Sequence, residues 1–343
     1  MSGGRVAVIG AGIGGLVGAA LLAARGHEVI VLEKEAAPGG KARMVPVGPA
    51  AVDGGPTVFT LRDVFDEVFD ECGATLDDHV TVTRAEILAR HAWEGAARLD
   101  LFADVDESEA AIGAFAGAAA ARGFRGFMAE AAHTFATLDR TFMRADKTNP
   151  IGLTWRIGLH RLGALYAIHP YTALWAALGR HFPDPRLRQL FGRYATYCGA
   201  SPFRAPATLM LIAHVEQAGV WLIDGGIHAL ARALETVARG HGAQFRYGAD
   251  VAEIDIAAGR AAGVRLRSGE RIAAASVLLN ADSAALGAGR FGAAAARAVP
   301  ALAPRHRSLS ALTFLMEGQA TGPDLVRHNV FFSGDYAREF REI

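Results

Sequence analysis

The residues best suited to chemistry lie near the start of the chain, where glycines and one acid follow two short apolar segments. Residues 5–9 form a predicted strand that leads into Gly10-Ala11-Gly12-Ile13-Gly14-Gly15. Apolar residues then recur with helical spacing until Gly26 ends the predicted helix. Residues 28–32 form a second predicted strand, and Glu33 follows it directly. The segment therefore predicts a strand, a glycine-rich turn, a helix and a second strand that ends in an acid.

Each residue type in this pattern has a physical reason to be there. Gly10 allows a tight turn, Gly12 lets the backbone approach a pyrophosphate, and Gly15 lets the helix pack closely on the strand. The helix N-terminus offers N–H groups and the positive end of its dipole to phosphates. Glu33 can accept hydrogen bonds from ribose hydroxyls, which argues against a 2′-phosphate at that place. These features predict a dinucleotide-binding site.

A second set of glycines follows the acid and favours one class of dinucleotide. Gly39-Gly40 comes soon after Glu33, with Lys41 and Arg43 behind it, and Gly54-Gly55-Pro56-Thr57 lies further along. A Gly-Gly turn lets backbone amides lie against a ribose or phosphate, and Lys41 or Arg43 can neutralise pyrophosphate charge. The later glycine pair brings bare backbone close to a flat ring. This arrangement resembles the amine-oxidase-like flavoproteins, which hold FAD rather than NAD.

The composition argues against several other functions. The 343 residues include 35 basic and 35 acidic side chains, so a zero formal charge gives no global attraction to nucleic acid. The 12 histidines are scattered without a metal-binding spacing, and no metal is predicted. Cys72 and Cys198 cannot form a CxxC pair and are predicted to be buried, reduced thiols.

The remaining elements alternate between a mixed α/β pattern and a long helical region. Thr60 is the predicted N-cap of a helix over 61–72, antiparallel strands are predicted within 80–101, and residues 107–219 are mostly helical. Beyond Gly225-Gly226 the pattern predicts one helix and then four strands, at 227–240, 243–247, 249–256, 263–267 and 271–279.

These elements predict an α/β protein with a Rossmann-like FAD-binding domain of the amine-oxidase-like type, into which a mostly helical, membrane-facing substrate domain is inserted. The predicted FAD-binding domain takes residues 1–105 and 223–290. The substrate domain takes residues 106–222, and residues 291–343 begin a further substrate-domain sheet.

An apolar run within the helical region has two interpretations. Residues 162–179 contain no Asp, Glu, Lys or Arg, and Arg161 and Arg180 flank them. The run is either a membrane-facing lid that admits a lipid-soluble substrate or a set of buried helices. His169-Pro170 near its middle argues against a transmembrane span.

Taken together, the motifs resemble those of the bacterial phytoene desaturase family. They are Gly10 to Gly15 with Glu33, Pro38-Gly39-Gly40-Lys41, Asp53-Gly54-Gly55-Pro56-Thr57, Gly219-Val220-Trp221, Gly225-Gly226-Ile227-His228-Ala229-Leu230 and Asn280-Ala281-Asp282. The block from Asp184 to Tyr197 looks most like the hydroxyneurosporene (1-hydroxycarotenoid 3,4-) desaturase branch, also called methoxyneurosporene dehydrogenase. The resemblance runs along the whole chain.

The resemblance implies FAD-dependent removal of two hydrogens from an acyclic, hydrophobic carotenoid. The expected reaction is C-3,4 desaturation of a 1-hydroxy or 1-methoxy carotenoid, by a cytoplasmic protein held peripherally at the inner membrane. It needs little acid–base machinery, because the polyene itself delocalises the charge that develops. Phytoene desaturation or carotenoid isomerisation is the alternative reaction. Relatives carry a further glycine-rich motif beyond the position of Ile343, so a truncated FAD- or lipid-binding remnant without turnover is a third interpretation.

The resemblance also implies which residues hold the cofactor. They are Gly10, Gly12, Gly14, Gly15, Glu33, Lys34, Gly40, Lys41, Arg43, Gly55, Pro56, Thr57, Val251 and Asp282. Val251 is expected to pair its backbone with adenine, and Gly55-Pro56-Thr57 to line the flavin. No catalytic side chain is predicted. The candidates that could meet a carotenoid hydroxyl, or else serve as structural polar residues, are Arg193, Tyr197, His214 and Glu216.

Overall fold

The computed structural model describes residues 4–145, 168–303 and 307–342. Its strands are β1 Val6–Ile9, β2 Val29–Leu32, β3 Met44–Val47, β4 Ala50–Asp53, β5 Val82–Arg84, β6 Ile87–Ala92, β7 Arg98–Phe102, β8 Trp221–Ile223, β9 Gln244–Arg246, β10 Val251–Ala257, β11 Arg260–Leu266, β12 Arg271–Ala273, β13 Ser276–Leu279 and β14 Asn329–Phe331. Its α-helices are α1 Ile13–Ala24, α2 Arg62–Glu71, α3 Val105–Ala116, α4 Ala118–Leu138, α5 Leu174–His181, α6 Pro185–Gly192, α7 Leu211–Ala218, α8 Ile227–Gly240, α9 Ser283–Gly287, α10 Ala293–Ala296 and α11 Tyr336–Glu342.

The chain forms two compact units. The first comprises the described residues within 1–83, 221–307 and 312–319. The second comprises those within 84–220, 308–311 and 320–343. The four-part domain division expected from the sequence stays a prediction.

A parallel sheet lies at the centre of the first unit, with strands in the order β13-β1-β2-β9. β1 and β2 are buried along their whole length, as parallel strands covered on both faces must be. Alternate side chains enter two separate cores. Val8 and Val31 pack with α1 and α8 on one face, whereas Ile9 and Leu32 pack with the antiparallel sheet β10-β11-β12 on the other.

The predicted strand–turn–helix–strand at the N-terminus is confirmed. Strand β1 ends at Ile9, α1 begins at Ile13, and Gly26 follows the end of the helix with φ at +83°. Glycine adopts this left-handed conformation without steric cost. Gly26 can therefore turn the backbone out of the helix, which explains why the helix ends there. The predicted helix over 227–240 is also confirmed, with its buried stripe facing α1 through Leu230, Ala231 and Leu234.

Three local predictions were wrong or incomplete. The N-cap of α2 is Leu61, in the left-handed conformation with φ at 50°, and not Thr60. The run 271–279 is two strands, because β12 pairs with β11 whereas β13 pairs with β1 in the other sheet. The antiparallel hairpin β3–β4 was not predicted at all.

The second unit combines a small sheet, in the order β14-β6-β7, with the helices of the predicted helical region. Antiparallel β6 and β7 confirm the strands expected within 80–101. The core of this unit is aromatic. The rings of Phe182 and Phe191 stack with their centroids 4.8 Å apart, and the ring centroid of Phe127 lies 4.8 Å from that of Phe191. Such packing contributes beyond the apolar area it buries.

The apolar run at 162–179 is described only in part, since residues 162–167 lie outside the described ranges. Within α5, Leu174, Ala177 and Leu178 are fully buried, whereas Tyr171 just before the helix is 98% exposed. Among the described helices, we find none with the length and apolarity needed to cross a bilayer. Of the two cysteines, Cys72 is buried as expected. Cys198 is exposed, so the prediction that it is buried was wrong.

Candidate functional site

Two of the predicted cofactor residues, Gly10 and Glu33, lie at the carboxyl edge of the parallel sheet. Gly10 follows β1 and Glu33 follows β2, while Asn280 follows β13 and donates its N–H to Ile9 O at 2.9 Å. The chain runs from β1 to β2 on one side, whereas β13 lies on the other side of β1. In α/β sheets, ligands bind in the crevice outside the strand ends at such a reversal of strand order.

The glycine turn is held by close contacts within the chain. Gly10 has φ at +93°, and a Cβ atom there would lie 2.8 Å from the carbonyl oxygen of Asn280. A Cβ atom on Gly15 would overlap the carbonyl oxygen of Gly10. The predicted reason for Gly15, close packing of the helix on the strand, therefore holds in the structure. Gly14 remains exposed and presents bare backbone at the start of α1.

Asn280 supports this turn from the neighbouring strand. With its amide oxygen turned inward, Asn280 accepts hydrogen bonds from the N–H groups of Gly12 at 3.3 Å and Gly15 at 3.2 Å. Its side chain also lies where a Cβ atom on Gly12 or Gly14 would stand. Asn280 belongs to one of the family motifs, but its role could not be predicted from sequence, because its contacts depend on a partner far away in the chain.

Glu33 is buried, and backbone groups hold its carboxylate in place. One oxygen accepts a hydrogen bond from Ala11 N–H at 2.6 Å, and the other accepts from Glu35 N–H at 2.9 Å. Only 6% of the residue is exposed. A carboxylate has about four lone-pair sites, so two remain for a further donor. Glu33 therefore links the glycine turn to the end of β2.

The second glycine pair lies directly against the first turn. Gly39 donates its N–H to Ala11 O at 2.8 Å, and a Cβ atom on Gly40 would lie 3.1 Å from the Cα of Gly12. Gly40 is exposed and has φ at +59°. Both glycine sets thus present bare backbone at one place. A side chain on either glycine would cover part of that backbone.

Asp53, at the end of the unpredicted hairpin, holds the start of α8. Its carboxylate accepts from Ile227 N–H at 3.0 Å and from His228 N–H at 3.4 Å. A Cβ atom on Gly226 would overlap this carboxylate. His228 also faces Ala42 O through its Nδ1, at 3.0 Å. Asp53 therefore supplies a helix cap from a residue 174 positions away, and no short-range sequence signal could have indicated it.

The remaining predicted cofactor residues differ in their surroundings. Lys34, Lys41, Arg43, Pro56 and Thr57 are exposed, and Lys34 lies 3.4 Å from the carboxylate of Glu35. Gly55 leaves room for the carbonyl oxygen of Lys41, which a Cβ atom would overlap.

Val251 and Asp282 complete the predicted set. The side chain of Val251 is buried at the start of β10. Just before it, Ala249 donates its N–H to Glu33 O at 2.8 Å, so the segment lies beside the end of β2. Asp282 is exposed and caps the short helix α9, accepting from Ala284 N–H at 2.8 Å.

Three of the four polar candidates of the second unit come together. The carboxylate of Glu216 accepts from Tyr197 Oη at 2.5 Å, and Arg193 Nη1 donates to Tyr197 Oη at 3.1 Å. Tyr194, which was not predicted, donates to the other Glu216 oxygen at 2.7 Å. His214 does not join them and packs on the ring of Phe135 at 5.0 Å.

Electrostatics in this cluster keep both tyrosines protonated. Burial, followed by the charge of Glu216, raises the pKa of Tyr197 to about 12 and that of Tyr194 well above its usual value. Burial acts to lower the pKa of Arg193, but the charge of Glu216 and the two tyrosines together outweigh it, and the pKa is raised. The cluster therefore holds an ion pair and two neutral phenols at neutral pH.

Elsewhere, we find no group of three His, Cys, Asp or Glu side chains arranged for a metal ion among the described residues.

Comparison with known proteins identifies the family. Flavin containing amine oxidoreductase is the family that matches, over residues 13–331. Hydroxyneurosporene desaturase of Rubrivivax gelatinosus is 50% identical over 340 residues, 99% of this chain and 65% of that protein. The protein of the same name from Cereibacter sphaeroides is 45% identical over 345 residues, 99% of this chain and 68% of that protein. A zeta-carotene-forming phytoene desaturase of Myxococcus xanthus is 31% identical, over 99% of this chain and 65% of its own length.

Solved structures show the same fold. An oxidoreductase from Methanosarcina mazei gives a TM-score of 0.54 at 20% identity, over 82% of this chain and 60% of that one. Wild-type putrescine oxidase gives 0.55 at 14% identity, over 84% of this chain and 60% of that one. The chain thus spans about two thirds of the length of the curated relatives it matches, 65% and 68% for the first two. It belongs to the flavin-containing amine oxidoreductase family and, within it, to the bacterial phytoene desaturase family of flavoproteins.

Proposed function

We propose that this protein is an FAD-dependent carotenoid desaturase that introduces a double bond at C-3,4 of an acyclic 1-hydroxy or 1-methoxy carotenoid. Three relatives named hydroxyneurosporene desaturase, 42–50% identical over 98–99% of the chain, support this proposal. The observation that carries it in the fold is the junction of Glu33 with the two glycine sets, because a dinucleotide needs both a carboxylate for its ribose and bare backbone for its phosphates.

The residues at this junction fit FAD. The first N–H groups of a helix have no partner within the helix. Asn280 takes that of Gly15, and we assign those of Ile13 and Gly14 to the pyrophosphate, with Gly40 on its other side. The two acceptor positions left on Glu33 suit ribose hydroxyls. Lys41 or Arg43, both exposed, would neutralise phosphate charge.

We assign the two ends of the cofactor to the segments beside this junction. The backbone at Val251 would meet adenine, because residues 248 and 249 are hydrogen-bonded to the segment that carries Glu33. Gly55, Pro56 and Thr57 would lie along the flavin, with Asp282 and Lys34 at the edge of the site. Asp282 caps α9, so its part toward the flavin is to fix that turn rather than to react.

The bound flavin would supply the two-electron oxidation itself. The chain's own residues would bind it, orient the polyene against it and exclude water. Desaturation would remove a hydride and a proton, and the conjugated system would spread the charge left by hydride loss. The neighbouring C–H would then be acidic enough to release its proton to the reduced cofactor or to water, so no protein side chain is assigned as a base.

We further propose that the protein meets its substrate at a membrane surface. An acyclic carotenoid dissolves in lipid and not in water, so the protein must receive it from a bilayer. Large apolar side chains of the second unit are exposed, among them Tyr171 at 98% and Phe142 at 51%. Flotation of the FAD-loaded protein with vesicles, compared with Phe142→Ser, tests this contact; equal flotation would contradict a part for Phe142.

The function is tested by pigment conversion. The FAD-reconstituted protein is incubated with vesicles that contain hydroxyneurosporene, and the visible spectrum is followed together with the protein-bound flavin after desalting. A red shift is expected, because a new conjugated double bond lengthens the polyene. A flavin-loaded protein that leaves the spectrum unchanged would contradict desaturation, whereas a protein that retains no flavin would contradict the cofactor assignment.

A second candidate function is supported by relatives of lower identity. The relatives named phytoene desaturase or phytoene dehydrogenase are 29–32% identical. Substituting phytoene for hydroxyneurosporene in the same vesicles separates the two reactions. A faster change with phytoene would favour phytoene desaturation, and a changed isomer without added conjugation would favour isomerisation.

A further inference from the structure

The buried polar cluster of Arg193, Tyr194, Tyr197 and Glu216, in the second unit, has unused hydrogen-bonding capacity. Arg193 makes one hydrogen bond, from Nη1 to Tyr197 Oη. Its Nε and Nη2 are buried and have no hydrogen-bond partner within the described residues, although Nη2 lies 3.6 Å from a Glu216 oxygen. A guanidinium carries five N–H donors, and leaving buried donors unpaired is costly. The cluster is therefore built for an additional acceptor.

The acceptor side of the cluster is equally specific. Both oxygens of Glu216 receive a tyrosine hydroxyl, at 2.7 and 2.5 Å, and the side chain is only 7% exposed. Each oxygen keeps a second lone pair. The charges of Arg193 and Glu216 cancel, so the cluster offers no net attraction to an ion. It suits a neutral group that both accepts a hydrogen bond and donates one.

One member of the cluster, Tyr197, reaches the protein surface. Tyr194 is fully buried against Phe191, whereas Tyr197 is 48% exposed on the last turn of a 3₁₀ helix at Arg193–Cys198. Just beyond that turn, Gly199 O accepts a hydrogen bond from the N–H of Leu309 at 2.9 Å. Leu309 is 37% exposed. Exposed apolar surface from Leu309 thus lies beside the segment that carries the cluster, an arrangement that fits a long apolar molecule with one oxygen at its end.

We propose that Arg193 and Glu216 bind the terminal 1-hydroxyl of the carotenoid, with Tyr197 as the positioning residue that bridges them. This inference rests on the proposed desaturase function and names the group that selects the substrate. The hydroxyl oxygen accepts from an unused Arg193 N–H, and the hydroxyl hydrogen is donated to Glu216. A methyl ether can make only the first of these bonds, so the site distinguishes a hydroxyl from a methoxy end group.

The test is a competition experiment. Vesicles containing equal amounts of hydroxyneurosporene and its methyl ether, methoxyneurosporene, are incubated with the FAD-loaded protein, and the two products are separated and quantified. The product ratio gives the ratio of kcat/KM for the two ends, and it does not depend on how much of a variant is folded. We expect the hydroxylated compound to be preferred about tenfold, as one additional charge-assisted hydrogen bond would give.

Two variants and one control address the named residues. Glu216→Gln replaces the anionic acceptor with a neutral amide and should bring the ratio close to one. Tyr197→Phe removes only a hydroxyl from a half-exposed side chain, so it should fold even if the buried Glu216 variant does not; it should lower the ratio about threefold, because the bridge is lost. Thr236→Val removes a hydroxyl from an exposed side chain on α8 of the first unit and should leave the ratio unchanged.

The outcomes separate this inference from the function on which it rests. If the protein converts both carotenoids equally, or if Tyr197→Phe and Glu216→Gln retain the preference of the unmodified protein, the cluster holds only water or structure and the inference is wrong, while the desaturase stands. A loss of preference in Thr236→Val as well would also contradict it. If the flavin-loaded protein converts neither compound, the proposed function itself is wrong and the inference is lost with it.

Discussion

Glu33 accepts a hydrogen bond from the N–H of Ala11 at 2.6 Å, and this bond joins the end of the second strand to the glycine turn after the first. The carboxylate also accepts from Glu35 N–H at 2.9 Å. Glu33 therefore has a structural part within the chain, in addition to the ribose contact that we propose for it. The two parts can be separated by experiment.

Glu33→Gln is expected to lower both stability and flavin retention. Glutamine has one acceptor oxygen, so its amide nitrogen would face the N–H of either Ala11 or Glu35, and a buried donor would stay unpaired. We expect a loss of about 1–3 kcal/mol in the free energy of unfolding. Denaturant unfolding measures this loss, and flavin absorbance after desalting measures retention.

Glu28→Gln is the matched control, because Glu28 is half-exposed and pairs with Arg5 on the surface. A surface ion pair contributes about 0–1 kcal/mol, so this variant should keep its flavin and nearly all of its stability. Equal behaviour of the two variants would contradict the part that we assign to Glu33.

Gly15→Ala should destabilise the first unit strongly. Its Cβ atom would overlap the carbonyl oxygen of Gly10, which is backbone and cannot rotate away. Overpacking of this kind costs about 1–3 kcal/mol or more. Gly240→Ala, at the end of α8 with open space around it, is the control and should be neutral or slightly stabilising. Equal unfolding midpoints for both variants would show that the backbone at Gly10 can move away at little cost, and would contradict this prediction.

The sequence was informative where a short segment determines its own structure. The turn from Gly10 to Gly15 could be predicted because strand, glycines and helix follow one another, and each position has a local reason. The helix over 227–240 could be predicted because its apolar residues recur at helical spacing over several turns. Family resemblance then added FAD and the substrate class, which no local pattern contains.

The hairpin β3–β4 could not be predicted, and with it the contact of Asp53 was missed. Pro46 lies inside β3 and has no N–H to donate to a neighbouring strand, so the sequence of this segment did not indicate a strand. Asp53 is bonded to residues far along the chain, which only the folded structure brings close. Tyr194 was missed for a related reason: an aromatic residue among apolar ones predicts core, and its hydrogen bond to Glu216 is invisible in sequence.

The run 271–279 shows a different limit. Its residues all favour a strand, and the sequence predicts one. The structure divides it because residues 271–273 complete the antiparallel sheet, whereas residues 276–279 pair with β1 in the parallel sheet. Strand propensity describes fitness for a sheet and does not indicate which sheet a residue joins.

Asp53→Ala should weaken the start of α8. The N–H groups of Ile227 and His228 would lose their acceptor, and loss of a cap costs about 0.5–2 kcal/mol. Asp53→Asn keeps one acceptor oxygen and should cost less. Denaturant unfolding of both variants measures the difference, and the capping interpretation is wrong if alanine and asparagine are equally tolerated.

His91 should make the stability of the protein depend on pH. The ring is fully buried and stacks on Phe332 at 6.0 Å. Burial, and then the charge of Arg193, hold its pKa well below the ordinary value of 6.5. The unfolded chain therefore binds a proton more readily than the folded one below about pH 6.5. Stability from His91 is complete above that pH and is lost as the pH falls, by up to about 1.4 kcal/mol per pH unit.

His91→Phe keeps an aromatic ring beside Phe332 but cannot take up a proton. Unfolding midpoints at pH 5.5 and pH 7.5 should therefore differ less in this variant than in the unmodified protein, because the contribution of His91 is removed while that of other groups, such as the partly buried His214, remains. His133→Gln, which changes an exposed histidine on α4, should keep the full difference. If His91→Phe retains the same difference between the two pH values, the imidazole is protonated in the folded protein and its neutral, buried state is disproved.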